Sequence, residues 1–222
     1  MDSRRIYRHF CMMARTLEVV GERWSLLIVR DLLLGPRRFT DLLRALNEIT
    51  PTRLTNRLRQ LETAGLVVRE PPSQGREVWY RLTDSGRELG PVVDALTLWG
   101  IENRLEPPLP GEPVRAEPVM IGTKVWLSQN APEVAQPVSW LWHFGPDDRY
   151  TVRFDNSSWV LARGNSGPTK VTITSSPETW AQFLTTKREE RELPGDGIGL
   201  EGKKRSIKEF ARAFAANLRS AR

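Results

Sequence analysis

Arg53, Asn56 and Arg59 recur every third residue in the segment that runs from Ile49 to Leu66. At about 100° per residue they share one side of a helix with Thr52 and Gln60, while Leu54, Leu58 and Leu61 stack on the other. Guanidinium and amide groups pair with guanine and adenine edges, and guanidinium also bonds phosphate. No carboxylate interrupts that outer side. Thr50 suits the N-cap, Pro51 the first helical position and Gly65 a left-handed C-cap. The spacing predicts a short capped helix whose outer side fits a duplex groove. Thr52, Arg53 and Asn56 would meet base edges, Arg59 would meet phosphate, and Thr50 and Thr55 would flank them. The alternative for such a face is a solvated surface, and the neighbouring elements decide between the two.

Those elements fall in a telling order. The pattern predicts a first helix from Cys11 to Val20 and an apolar second helix from Glu22 to Leu34, closed by Gly35-Pro36. A third helix would be capped by Thr40 and run to Leu46. The groove-facing helix follows, and then two β-rich runs, 66–69 and 78–82, around a Pro71 to Gly75 turn. Thr83-Asp84 would start one long helix reaching about Leu105. Helix-turn-helix, hairpin and helix together make a winged helix-turn-helix. In that frame Ser73, Gln74 and Arg76 sit at the wing tip, suited to backbone or minor groove. Arg38 and Thr40, opening the third helix, suit a phosphate.

These segments resemble the HxlR-type winged-helix regulators, relatives of the MarR group. The resemblance rests on Cys11, the run from Gly21 to Gly35, Arg37-Arg38-Phe39 and Leu42. It continues through the run from Ile49 to Glu62, Gly65-Leu66, the run from Tyr80 to Leu89, and Trp99. Arg23 stands where the family usually has lysine before the tryptophan. The resemblance implies a dimeric transcription regulator on an inverted repeat of double-stranded DNA. It also implies that a cysteine near position 11 can serve as a thiol sensor, and Arg8, His9 and Arg15 would favour its thiolate. The other reading of Cys11 is a small buried hydrophobe.

Dimerisation has a separate physical argument. Met12, Met13, Leu17, Val93, Leu96, Leu98 and Trp99 offer more apolar surface than one small core absorbs, and a twofold dimer doubles the base contacts. Packing of these residues on the rest of the chain is the alternative.

A proline-rich stretch from Glu106 to Pro113 cannot be helix interior. It suggests residues 1–106 as the winged domain, 107–116 as linker and 117–222 as an α+β domain. A helix is predicted from Glu117 to Gln129, then β-runs at 139–144, 150–154, 158–163 and 170–174, arranged as an antiparallel meander. Helices starting at Ser176 and covering Arg205 to Leu218 complete it. This half resembles the sterol-carrier-protein type of lipid-binding domain, through the run from Lys170 to Leu184, the run from Gly195 to Gly202 and the Phe210/Phe214 helix. The charged run from Lys187 to Glu192 departs from that pattern. The resemblance implies a site for a small apolar ligand, which Trp126, Trp140, Trp142, Trp159, Trp180 and Phe183 would line. A filled aromatic core is the alternative.

Composition sets the outer bounds. A formal net charge of +6 favours a polyanionic partner. The single cysteine excludes an intrachain disulfide framework, and no apolar run approaches a membrane span. The two histidines, His9 and His143, lie far apart in sequence; no metal-ligand cluster, catalytic triad or phosphate-cradling loop is visible. The expectation is a cytoplasmic, nucleoid-associated, non-enzymatic regulator without cofactor or metal. An apolar-ligand carrier whose winged helix serves protein contacts is the alternative.

Overall fold

Residues 7, 10–70, 77–103, 106–131, 137–155, 157–215 and 217–218 are described by a computed structural model of the chain. They form two compact units, Met1–Ala95 and Leu96–Arg222. In the first unit, α1 (Met12–Val20), α2 (Ser25–Leu33), a two-residue β1 (Arg37–Arg38) and α3 (Phe39–Ala45) precede α4 (Pro51–Thr63). Strands β2 (Val67–Glu70) and β3 (Trp79–Leu82), then α5 (Asp84–Arg87) and α6 (Gly90–Asn103), follow; α6 runs past the unit boundary.

The leucine stripes make this core. Leu42, Leu54, Leu58, Leu61 and Leu82 are fully buried with Ile28 and Val29. β3 is central, pairing antiparallel with β2 (Val67 opposite Leu82) and with β1 (Arg37 opposite Tyr80). β1 has no periodicity to betray it; it exists because β3 offers a free edge.

Three expectations in this unit need correction. The second helix begins at Ser25 instead of Glu22, with Trp24 as its N-cap. Arg38, not Thr40, is the N-cap of α3: its N–H donates to the Asp41 carboxylate (3.3 Å), and Thr40 lies one residue inside the helix. The long helix from Thr83 is two helices. Pro91 has no N–H to return to the preceding turn, so α5 ends and α6 restarts at Gly90.

In the second unit, α7 (Ala116–Asn130) leads into β4 (Val138–His143), β5 (Arg149–Phe154), β6 (Trp159–Arg163) and β7 (Val171–Thr174). Then come α8 (Pro177–Thr185), β8 (Glu192–Leu193), β9 (Gly199–Gly202), α9 (Lys204–Ala213) and β10 (Asn217–Leu218). The sheet order is β6-β5-β4-β7-β9, and β7 pairs parallel with β4. The sheet is therefore mixed, not an antiparallel meander. Residues 164–170 carry the chain from the β6 edge to the far side of β4. Buried Thr151 pins that crossing: its Oγ1 donates to the Gly164 carbonyl (2.7 Å) and accepts from the Ser166 N–H (3.1 Å). The last helix also stops early, at Ala213, where Ala215 takes a positive φ of 50°.

Alternation puts Trp140 and Trp142 of β4, Val152 of β5, and Val171 and Ile173 of β7 on one face, all fully buried. Trp180, Phe210 and Phe214 pack on the same cluster. Ser176 caps α8 by accepting the Thr179 N–H (3.1 Å).

Candidate nucleic-acid interface

α4 is built from both ends. The Thr50 hydroxyl accepts the Arg53 N–H (3.3 Å), Pro51 occupies the first turn, and Gly65 ends the helix at φ 71°. Thr83 then ties down that end: its Oγ1 donates to the Gly65 carbonyl (2.6 Å) and accepts the Gly86 N–H (3.0 Å). Gly86 is obligatory there, since a Cβ would lie 2.1 Å from the Leu66 carbonyl oxygen. No local pattern marks Thr83 or Gly86 as site-forming, because the contact joins residues 18 apart.

With the leucines inward, Thr50, Thr52, Arg53, Asn56, Arg59 and Gln60 are exposed. The side chains of Arg53, Asn56 and Arg59 make no hydrogen bond or ion pair with another described residue. Thr55 is half-buried and its hydroxyl donates back to the Pro51 carbonyl (2.9 Å). Arg57, which shares none of this surface, reaches Gln60 Oε1 (2.5 Å) and Glu22 Oε2 (3.1 Å), anchoring α4 to the turn before α2. The outer face thus carries cationic and amide groups without internal neutralisation. Burial raises the phenol of Tyr80 on β3 above its ordinary range, opposed by the nearby Arg69 and Arg59 guanidinia.

The remaining expected residues fall in different places. Thr40 is exposed in the first turn of α3. Arg38 is engaged: its guanidinium bonds Glu77 (2.6 Å) and lies 4.8 Å from the centre of the Trp79 ring. Ser73, Gln74 and Arg76 lie outside the described residues, as do Arg8 and His9. Arg69, exposed on β2, is a further basic residue, and no motif in the sequence marks it. Cys11 is half-buried at the N-cap of α1 without capping through its side chain, and Arg15 is paired with Glu18 (3.4 Å).

Of the apolar residues expected at a dimer contact, Met12 (63% exposed), Met13 (70%), Leu17, Leu96 and Trp99 (55%) are open, joined by Phe10. Val93 is not; it is buried in the first unit's core, on the inward side of α6. In the second unit, the aromatic residues expected around a ligand pack against one another. Trp140 lies 4.9 Å from Phe210 and 5.1 Å from Trp159, and Trp142 lies 5.4 Å from Trp180, centre to centre. Trp180 stacks on Phe183 (4.8 Å), and its indole N–H donates to buried Thr123 (2.9 Å). They occupy the space between sheet and helices. Trp126 lines a cavity of about 370 Å³ that Val119 and Gly122 of α7 also border, and the other five aromatics are not part of that lining.

Comparison with known proteins places the first unit. The HxlR-like helix-turn-helix family matches residues 19–107. The Bacillus subtilis uncharacterized HTH-type transcriptional regulator YybR is 37% identical over 99 residues, which cover 42% of this chain and 76% of that protein. The chain belongs to the HxlR-like helix-turn-helix family. An uncharacterized HTH-type transcriptional regulator of Mycobacterium tuberculosis is 48% identical over 89 residues, 40% of this chain. The chain spans only 56% of the length of that mycobacterial relative. The solved structure described as redox regulator HypR in its oxidized form is 38% identical, covers 42% of this chain and 98% of its own, with a TM-score of 0.41. The HxlR-like match thus ends near the proline-rich stretch, and these relatives are described as HTH-type transcriptional regulators. No helix of the described residues is long and apolar enough to cross a membrane.

Proposed function

We propose that the chain is a transcriptional regulator that binds double-stranded DNA as a homodimer on an inverted-repeat operator. In this reading α4 enters the major groove. Thr52, Arg53 and Asn56 read base edges and Arg59 bonds phosphate, while Thr40 and wing residues Ser73, Gln74 and Arg76 contact the backbone. The observation that carries it is the α4 surface itself, where Arg53, Asn56 and Arg59 are exposed and unneutralised on a helix locked from behind by Leu54, Leu58 and Leu61. Membership of a family of HTH regulators supports the same reading. The exposed Met12, Met13 and Leu17 on α1, and Leu96 and Trp99 on α6, support the twofold assembly, because isolated soluble proteins rarely leave such patches open. Residues 117–222 act as a sterol-carrier-like domain that senses a small apolar molecule. A helix-covered sheet with an adjoining cavity supports this, and α6, shared by both units, offers a covalent route for coupling. The site of action would be the cytoplasmic nucleoid.

Selection of bound fragments from genomic DNA, followed by titration at several salt concentrations, tests the DNA reading. Arg53→Ala with Asn56→Ala should remove preference for the selected site, each lost base contact costing about 1–3 kcal/mol. Arg59→Ala should instead weaken all sequences alike and lower the salt slope by roughly 0.9 per subunit. Unchanged preference in the double variant would refute the assignment. Light scattering that finds only monomer at micromolar concentration would refute the dimer.

A further inference from the structure

α7 keeps a glycine in its interior with nothing packed on it. A Cβ built on Gly122 meets no atom within 4 Å, and its φ is not in the left-handed region. Glycine is the weakest helix former after proline, because it gives up the most backbone freedom. A tight turn or a close-approaching backbone ordinarily explains it, as the Leu66 carbonyl explains Gly86. Neither is present at Gly122. The residue instead lines the 370 Å³ cavity, together with Ile101, Val114, Val119, Trp126 and Leu184.

That volume lies within the roughly 300–1,000 Å³ of small-molecule pockets, which combine apolar walls with a few polar groups. The charged groups in this lining are Glu106, Glu112 and Arg115. Both carboxylates are exposed and neither has an ion-pair partner among the described residues. Glu112 accepts the Leu109 N–H (2.9 Å) through Oε2, which leaves its other oxygen for a ligand. Arg115 is already engaged. Negative charge beside an apolar hollow suits a molecule with a greasy body and a positive end.

We propose that this cavity binds a small amphiphilic cation, with its ring-bearing body against Gly122, Val119 and Trp126 and its ammonium group at Glu106 and Glu112. The proposal rests on the reading of residues 117–222 as effector-sensing, and places the effector beside α7 and the proline-rich segment instead of in the tryptophan core.

Calorimetric titration of the full chain with two matched probes tests it: 2-(1-naphthyl)ethylamine, a cation, and 1-naphthylacetate, an anion. The amine should bind about tenfold tighter, the scale of one charge-assisted hydrogen bond. Glu106→Gln with Glu112→Gln should erase that preference. Gly122→Leu should weaken the amine by at least about tenfold by filling the space, with the helical circular dichroism retained. Gly122→Ala, which adds one methyl group and improves helix propensity, should fold at least as well and weaken the amine by a smaller factor. Equal binding of amine and acetate, or full binding by both Gly122 variants, would overturn the cavity assignment while sparing an effector site elsewhere. No binding of either probe up to millimolar concentration would overturn the amphiphilic-cation proposal as well, whereas the reading of residues 117–222 as sensing an apolar molecule would fail only if neutral naphthalene also left the chain unchanged.

Discussion

Replacing Arg191 by methionine should open the second unit from inside. Arg191 is 2% exposed although it sits in the charged run 187–192. Its Nε donates to the Thr186 carbonyl (3.0 Å), Nη2 to Leu184 (2.7 Å) and Nη1 to Phe214 (3.1 Å). The guanidinium also lies over the Trp126 ring, 4.4 Å from its centre. Leu184 and Thr186 end α8 and Phe214 ends α9, so one cation satisfies the final carbonyls of two helices, where the helix dipoles are negative. Methionine keeps much of the apolar volume but strands three carbonyls, that of Phe214 buried and those of Leu184 and Thr186 partly buried. At about 1–3 kcal/mol each the upper sum approaches 9 kcal/mol. Relaxation and water entry reduce it to the roughly 3–5 kcal/mol measured when buried charged groups lose a partner. For a unit of this size, about 3–5 °C of melting temperature accompanies each kcal/mol, so the midpoint should fall by roughly 10–25 °C. Near-UV circular dichroism, to which buried Trp140, Trp142 and Trp180 contribute, and calorimetry read the loss. Arg191→Lys should recover less than half of the loss, because an ammonium group lacks the planar fork. A loss below about 1 kcal/mol for the methionine variant would refute the staple, since those bonds would then be worth no more than solvated ones.

Two further perturbations probe other parts of the chain. Gly86→Ala should destabilise the first unit by about 3 kcal/mol or more, because the new methyl group meets a backbone oxygen that cannot swing away; urea unfolding checks this, and a loss under about 1 kcal/mol would contradict the geometry. Tyr150 is held above the usual phenol range by burial and then by the Glu117 and Asp148 carboxylates. Its folded value exceeds its unfolded one, so its contribution to stability is complete below about pH 10 and is lost as the pH climbs beyond that. Tyr150→Phe should therefore flatten the alkaline decline of second-unit stability in denaturation series, and identical slopes in both proteins would exclude this role.

Much of the candidate interface was legible because its determinants are local. The Thr50-Pro51 start, the Leu54/Leu58/Leu61 stripe and the Gly65 stop are all written within one 16-residue window, and the helix formed as read. Local signals also overreached. Thr40 has the chemistry of a cap, yet extended backbone at Arg38, held by pairing with β3, moved the helix start. The apolar periodicity from Thr83 onward continued through Pro91, but the backbone could not follow it. In the second unit four strands were legible, but their order was not, because the parallel pairing of β7 with β4 depends on where a seven-residue crossing lands. β8, β9 and β10 are too short or too glycine-rich to show a pattern, and β10 fell inside the helix expected to reach Leu218.

Sequence by itself determined the main helices and the longer strands, which side of α4 is greasy and which is cationic, and the family of the first unit. Those properties follow from periodicity and capping, which act over a few residues. Tertiary structure alone decided that the tryptophans fill their own core, that Val93 turns inward, that Arg191 closes two helix ends and that the open space lies beside Gly122. Each depends on contacts between residues distant in the chain, and side-chain type does not reveal which of several apolar partners will arrive.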